Sequence, residues 1–187
     1  MVHVIEPAPS GRAKCRGCGA VIARDILRFG ERLPNPFADE GGEMTHWFHL
    51  PCAAFRRPEP FLEALAATDV PIGDRAQLEH DARLGVAHRR LPRVNTAERA
   101  PSGRAACRAC RSPIDKGAWR ISLVYDEDGR FVPSGTIHVT CAAAYLETTE
   151  VMSRLRHFTP TLTEVDIEEI HSLMEGRTFK SAPSEPA

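Results

Sequence analysis

One pattern of potential metal ligands occurs twice in this 187-residue chain and limits what the chain can fold into. A Cys-x-x-Cys step is followed by a His-x-x-Cys step, with 30 intervening residues in the first copy and 27 in the second. The candidate ligands are Cys15, Cys18, His49 and Cys52 in the first copy and Cys107, Cys110, His138 and Cys141 in the second. Three thiolates and one imidazole form the closed tetrahedral set of a structural zinc site. The sequence therefore predicts two structural zinc ions, in preference to an iron–sulfur cluster or free thiols.

The two ligand sets use all six cysteines of the chain. Since no cysteine is left for a disulfide, we expect a reducing cytoplasm as the location, at the nucleoid if the protein is bacterial. His46 is a second candidate for the histidine ligand of the first set. Superposing the two His-x-x-Cys steps pairs His46 with Gly135 but His49 with His138. We therefore predict His49 as the ligand and expect His46 at the surface or beside the ligands.

Charge and hydropathy narrow the class of partner. No apolar stretch approaches the ~20 residues of a membrane span, so no membrane partner is expected. The formal net charge is −1 overall, but residues 1–58 and 101–146 each carry +2, whereas residues 147–187 carry −4. The positive charge thus accompanies the metal ligands. This mild asymmetry permits a phosphate-binding face on the two metal-binding segments.

The repeat extends beyond the ligands and predicts the fold class. Asp74 and Thr163 lie at the same distance after the last cysteine of each copy, and each precedes a run of apolar residues at helical spacing. Each half is too short for a large core, so metal must replace part of it. We predict an α+β fold of two tandem small zinc-finger units, each a short antiparallel sheet around a Cys3His zinc site followed by a two-helix extension.

The predicted domain boundaries follow from this repeat. They are residues 1–87 for the first unit, 88–101 for a linker, 102–176 for the second unit and 177–187 for a disordered tail. We expect residues 1–9 to be a flexible lead-in, because they contain two prolines and show no periodicity. One helix is expected from about Thr140 to Arg156.

The residues around the ligands match a known pattern. The first copy supplies Cys15-Arg-Gly-Cys18, Ile22-Ala-Arg24, Arg28 and Trp47-Phe-His-Leu-Pro-Cys52. This arrangement resembles the zinc finger of poly(ADP-ribose) polymerase type, which is also found in a DNA ligase and in some DNA-end-processing enzymes. The second copy also resembles it, through Cys107-Arg-Ala-Cys110, Ile114-Asp-Lys116, Arg120 and His138-Val-Thr-Cys141, but has Thr136 in place of the tryptophan.

The resemblance implies recognition of DNA strand breaks, with a basic face on the phosphates and an apolar loop over the exposed base pair. The implied DNA contacts are Arg12, Arg16, Arg28, Phe37 and Met44 in the first copy and Arg104, Arg108 and Arg120 in the second. Phe131 lies in the comparable loop of the second copy. Three alternatives stay open: the arginines are ordinary solvated surface, Arg16 and Arg108 orient a thiolate, and Phe37 folds back on the core.

An enzyme is not expected. The cysteines and the two ligand histidines are committed to metal, and the chain has no Gly-rich phosphate loop or nucleophile elbow. We therefore predict a non-catalytic, zinc-dependent DNA-binding protein that recognises nicks or ends in DNA repair, with a repair protein bound through the C-terminal helices as a further partner. The alternative is a zinc-stapled protein–protein adaptor or regulatory scaffold, in which the acidic C-terminal helices bind the partner.

Overall fold

The computed structural model describes residues 2–35 and 42–176, which contain two three-stranded antiparallel sheets. The first sheet consists of β1 (Val4–Pro7), β2 (Leu27–Pro34) and β3 (Glu43–His49), in that spatial order. In β2 the residues from Arg28 to Glu31 are all buried, as expected for the central strand of a small covered sheet. The last residue of β3 is the ligand His49, so the sheet positions it directly.

Three helices follow the first sheet. They are α1 (Leu50–Arg56), α2 (Pro58–Ala67) and α3 (Arg75–Ala87). α1 ends before Pro58 and α2 begins on this proline, a residue that is favoured at the first position of a helix. Phe29 joins the helices to the sheet, with its ring centroid 6.0 Å from that of Phe48 and 5.5 Å from that of Phe61.

The second sheet repeats this plan. It consists of β4 (Val94–Arg99), β5 (Trp119–Glu127) and β6 (Arg130–His138), in that spatial order. Asp128 and Gly129 connect β5 to β6 with φ angles of 50° and 76°. Positive φ at both central residues is the requirement of the tight type I′ hairpin turn, which an Asp-Gly pair meets readily. The helices α4 (Ala142–Leu146), α5 (Met152–Phe158) and α6 (Glu164–Met174) follow.

Three segments differ from the sequence-based expectations. Residues 4–7, expected in a flexible lead-in, form the edge strand β1 because they pair with β2. Residues 94–99, expected within the linker, form β4 and pair with β5. The single helix expected from Thr140 to Arg156 is broken, because Glu147 adopts a left-handed conformation with φ of 62° and α5 begins only at Met152.

The chain forms two compact units. Unit 1 contains the described residues of 1–93 together with residues 124–133, and unit 2 contains residues 94–123 and 134–176. The outer end of the β5–β6 hairpin is thus a part of unit 1. The predicted tail, 177–187, lies outside the described residues. No helix among the described residues has the length and apolar character needed to cross a membrane.

Candidate metal centres and nucleic-acid interface

The predicted ligands of the first set converge in unit 1. The ligand atoms of Cys15, Cys18, His49 and Cys52 all lie within 4.8 Å of one another. The Sγ atoms of Cys18 and Cys52 lie 3.5 and 4.0 Å from Nδ1 of His49. A tetrahedral zinc ion with Zn–S bonds of ~2.3 Å and a Zn–N bond of ~2.0 Å separates sulfur from nitrogen by ~3.5 Å. Both the donor set and its spacing therefore fit zinc.

The second set converges in unit 2 in the same way. The Sγ atoms of Cys110 and Cys141 lie 3.4 and 3.8 Å from Nδ1 of His138. The Nε2 atom of this histidine lies 3.1 Å from the carbonyl oxygen of Pro113. With Nδ1 facing the metal position, Nε2 carries the proton and donates it to this carbonyl, which fixes the orientation of the ring. The chain thus has two Cys3His zinc sites.

The same backbone geometry builds both sites. The backbone N–H of His49 donates to Cys15 Sγ over 3.3 Å, and that of His138 donates to Cys107 Sγ over 3.3 Å. Such bonds stabilise the thiolate form that a metal requires. In each Cys-x-x-Cys turn the residue after the second cysteine has positive φ, which is 77° at Gly19 and 64° at Arg111.

Hydrogen bonds and burial give the thiols within each ligand set different pKa values. A hydrogen bond with Cys52 lowers the pKa of Cys15 to about 5, and the same bond together with burial raises the pKa of Cys52. A backbone hydrogen bond at Ser112 lowers the pKa of Cys110 to about 6, whereas burial raises the pKa of Cys141 to about 11. Some thiols of each set therefore keep their protons until metal binds, and zinc binding releases these protons.

His46 is not a member of the first ligand set, as the comparison of the two copies predicted. Of its two expected places, the surface is wrong, because the residue is only 4% exposed. Its ring lies against Gly129, where an added Cβ would come within 1.9 Å of Cε1 of the ring. Burial, followed by the positive charge of Arg16, lowers the pKa of His46, so the ring packs as a neutral group.

Two of the arginines predicted to contact DNA form ion pairs inside their sheets. The side chain of Arg28 is only 8% exposed, and its Nη2 donates to Glu6 over 2.6 Å. The guanidinium carbon of Arg28 lies 3.4 Å from the ring centroid of Trp47. In the second sheet, Arg120 is 15% exposed and its Nη2 donates to Glu98 over 2.5 Å. Each pair joins residues that lie directly opposite each other on neighbouring strands.

The remaining predicted arginines lie at the surface beside the metal ligands. They are Arg12 and Arg16 in unit 1 and Arg104 and Arg108 in unit 2. The Arg108 guanidinium also donates a hydrogen bond to the backbone carbonyl of Ser134. The placement of these side chains agrees with phosphate contact, which stays a prediction.

The residues predicted to cover the exposed base pair lie in different places. Phe37 lies outside the described residues, and Met44 is half-buried on β3 opposite Leu33. Phe131, in the comparable loop of the second copy, belongs to unit 1. Its ring centroid lies 6.4 Å from that of Phe48 and 5.1 Å from the guanidinium of Arg56. Phe131 is therefore held by packing within unit 1.

The acidic partners of Arg28 and Arg120 were not predicted from the sequence. Glu6 and Glu98 are separated by the same 92 positions as Arg28 and Arg120. This spacing was visible in the sequence. It indicated that the repeat begins before the two Cys-x-x-Cys steps, at the latest with Glu6 and Glu98.

Comparisons with known proteins agree with this geometry. Residues 6–81 match the family model described as the poly(ADP-ribose) polymerase and DNA-ligase Zn-finger region. The chain is 33% identical over 132 residues to poly [ADP-ribose] polymerase 1 of Gallus gallus, covering 63% of this chain and 13% of the relative. It is 29% identical over 143 residues to poly [ADP-ribose] polymerase of Drosophila melanogaster, covering 67% of this chain and 14% of that protein.

A plant relative, poly [ADP-ribose] polymerase 1 of Oryza sativa subsp. japonica, is 26% identical over 148 residues, which cover 74% of this chain and 14% of the relative. The chain thus spans about one-seventh of the length of these curated relatives. The family model covers most of unit 1, and the second Cys3His site repeats the ligand pattern of the first. The predicted resemblance is therefore confirmed: the chain carries zinc fingers that resemble the poly(ADP-ribose) polymerase type, in two tandem copies.

Proposed function

We propose that this protein binds DNA at strand breaks, as a non-catalytic, zinc-dependent factor in DNA repair. The match of residues 6–81 to the poly(ADP-ribose) polymerase and DNA-ligase finger model is the observation that carries the proposal. The non-catalytic part is supported by the extent of the similarity, which covers 13% to 14% of the relatives. The comparisons therefore supply no similarity to the rest of those enzymes.

The proposed mechanism divides the arginines into two groups. Zinc fixes each Cys-x-x-Cys turn, and the exposed arginines beside it contact phosphates: Arg12, Arg16, Arg104 and Arg108. The buried Arg28 and the half-buried Arg120 hold the first two strands of each sheet together. Phosphate contact alone gives affinity for any duplex, so selectivity for a break requires a surface that contacts exposed bases. Phe37 and Met44 are proposed for that role.

The location and a further partner are finer parts of the proposal. We place the protein in the reducing cytoplasm, at the nucleoid in a bacterial cell, since all six cysteines belong to the two zinc sites. A repair protein is proposed to bind the C-terminal helices. The acidic first turn of α6 and the 61% exposed Val165 support that surface.

The test is a measurement of affinity for nicked duplex and for closed circular duplex at one salt concentration. We expect tighter binding to the nicked duplex, and loss of binding when a chelator removes zinc. Equal affinity for the two DNAs would contradict break recognition. No binding to either would favour the zinc-stapled protein–protein adaptor.

Substitutions then test the phosphate contacts. Arg12→Ala and Arg104→Ala should each weaken binding to both DNAs and reduce the dependence of log K on log salt by about one unit. We expect the larger loss from Arg12→Ala, because the first copy keeps the complete Trp-Phe-His sequence. Arg83→Ala is the matched control, since Arg83 is an exposed cation of unit 1 that pairs with Glu79 on α3. Losses as large in the control would show a general charge effect.

A further inference from the structure

Unit 1 contains a groove beside its zinc site that shares Arg16 with the proposed phosphate contacts and is lined by neither proposed capping residue. The groove has a volume of about 490 Å³. Pockets that hold small molecules have volumes of ~300–1,000 Å³, so the groove suits a ligand of the size of one nucleotide. Its walls come from the first Cys-x-x-Cys turn, from β3 and from the residues that follow the β5–β6 turn.

The charge of the groove selects the ligand class. Lys14, Arg16 and Arg130 line it, and all three residues are exposed. Among the described residues, the lining contains no carboxylate; its other members are Ala13, Cys15, Gly19, Thr45, Trp47, Gly129 and Phe131. Three cations that line one groove attract an anion, and the arginine fork matches phosphate oxygens in particular.

The aromatic residues of the groove add a second type of contact. Trp47 and Phe131 both line it and are both half-exposed. The guanidinium of Arg28 holds the Trp47 ring at 3.4 Å, and Phe48 holds the Phe131 ring at a centroid distance of 6.4 Å. Rings fixed in this way lose little freedom when a ligand binds. Aromatic side chains beside cations are the combination with which proteins bind unpaired nucleotides.

We propose that this groove binds one unpaired nucleotide of the broken strand. The base packs against Trp47 and Phe131, and Lys14, Arg16 and Arg130 contact its phosphate. This inference rests on the proposed strand-break function and names a substrate feature within it, an unpaired nucleotide at the break. The proposed ligand of the groove also differs from that of Phe37, which is an exposed base pair.

The test compares three DNAs that differ at one position. They are a nicked duplex, the same duplex with a one-nucleotide flap at the nick, and the same flap without its base. Even weak stacking of a base on an aromatic side chain corresponds to about a fivefold gain in affinity. We therefore expect the protein to bind the complete flap at least about fivefold more tightly than the plain nick, and the abasic flap with an intermediate affinity.

Variants assign that gain to the groove. Phe131→Ala should reduce the affinity ratio of complete flap to abasic flap towards one. Arg130→Gln should reduce the ratio of abasic flap to plain nick, and Arg83→Gln, outside the groove lining, should leave both ratios unchanged. Zinc content and the thermal melt show whether each variant is folded. If Phe131→Ala does not fold, Phe131→Leu replaces it, with a smaller reduction of the same ratio.

The outcomes separate this inference from the proposed function. Equal binding of the complete flap and the plain nick would overturn the inference and leave break recognition intact. Equal binding of the complete and abasic flaps would show that the groove binds only a phosphate, and this result would also overturn the inference. A flap preference that is unchanged in Phe131→Ala and Arg130→Gln would place the nucleotide elsewhere. Equal binding of nicked and closed duplex would instead overturn the proposed function.

Discussion

Replacing Arg28 by alanine distinguishes a structural role for this side chain from the phosphate contact that the family resemblance implies. The guanidinium joins β1 to β2 through Glu6 and packs on the ring of Trp47. Since the side chain is only 8% exposed, its loss removes contacts inside unit 1. We therefore expect Arg28→Ala to destabilise unit 1 and to reduce DNA binding only to the extent that it unfolds.

The size of the effect follows from these two contacts. A hydrogen bond to a charged group contributes about 1.5–3 kcal/mol. The lower end applies here, because Glu6 is 39% exposed and water can solvate its carboxylate after the substitution. The cation–π contact with Trp47 contributes about 0.5–2 kcal/mol. Together they predict a loss of about 2–3 kcal/mol, a large part of the ~5–15 kcal/mol stability of a typical domain.

Arg120→Ala is the matched comparison in unit 2. Arg120 forms the equivalent ion pair with Glu98, which is 48% exposed. The position that corresponds to Trp47 is Thr136, so the aromatic contribution is missing. We expect a loss of about 1 kcal/mol, which is near the upper end for a largely solvated ion pair.

Urea unfolding in the presence of excess zinc measures both losses, and fluorescence anisotropy with nicked DNA measures binding by the folded variants. Arg28→Met keeps the apolar stem and should recover part of the stability without restoring the charge. The structural role would be refuted if Arg28→Ala unfolds at the wild-type urea concentration but binds nicked DNA much more weakly. That result would indicate that Arg28 contacts a DNA phosphate.

Three further predictions concern zinc binding, the N-cap of α6 and break recognition. Cys18→Ala should reduce the zinc content to one ion per chain by metal analysis and unfold unit 1, because a structural zinc contributes ~10–16 kcal/mol; two retained ions would contradict this. Thr163→Ala should destabilise α6 by about 1 kcal/mol in thermal melts, since its hydroxyl accepts from the backbone N–H of Asp166. The control Asp74→Ala should change little, since the Asp74 side chain makes no capping bond on α3. Phe37→Ala should weaken binding to nicked DNA by about 1–3 kcal/mol while leaving closed duplex unaffected, and an unchanged affinity ratio would exclude Phe37 as the break sensor.

The metal sites were predictable because their chemistry is local. Ligand type and spacing, together with the duplication that distinguished His49 from His46, identified all eight residues. The helix that begins after Thr163 was also predictable, since its capping box is encoded within four residues. In each case the decisive interaction lies within one short segment or one repeated pattern.

The strands β1 and β4 were missed because long-range pairing forms them. Residues 4–7 are too few to show an alternating pattern, and they are extended because β2 offers them hydrogen-bond partners. The burial of His46 likewise depends on Gly129, which lies 83 positions further along the chain. The exposed arginines and the ion-paired Arg28 and Arg120 have similar sequence surroundings in this repeat. Their different roles therefore emerge only when the partners, Glu6 and Glu98, are located.

Unit 1 is built from two separate segments of the chain, and this affects when it can fold during synthesis on the ribosome. Its two segments, residues 1–93 and 124–133, are separated by 30 residues that belong to unit 2. Arg57 binds Asp126 over 2.8 Å, and Phe48 packs on Phe131, so the later segment contributes both an ion pair and an apolar contact. Domains generally fold as their residues emerge, in order from the N-terminus. Unit 1 must therefore wait, partly assembled, until translation has passed Pro133, by which time the first ligands of unit 2 have also emerged.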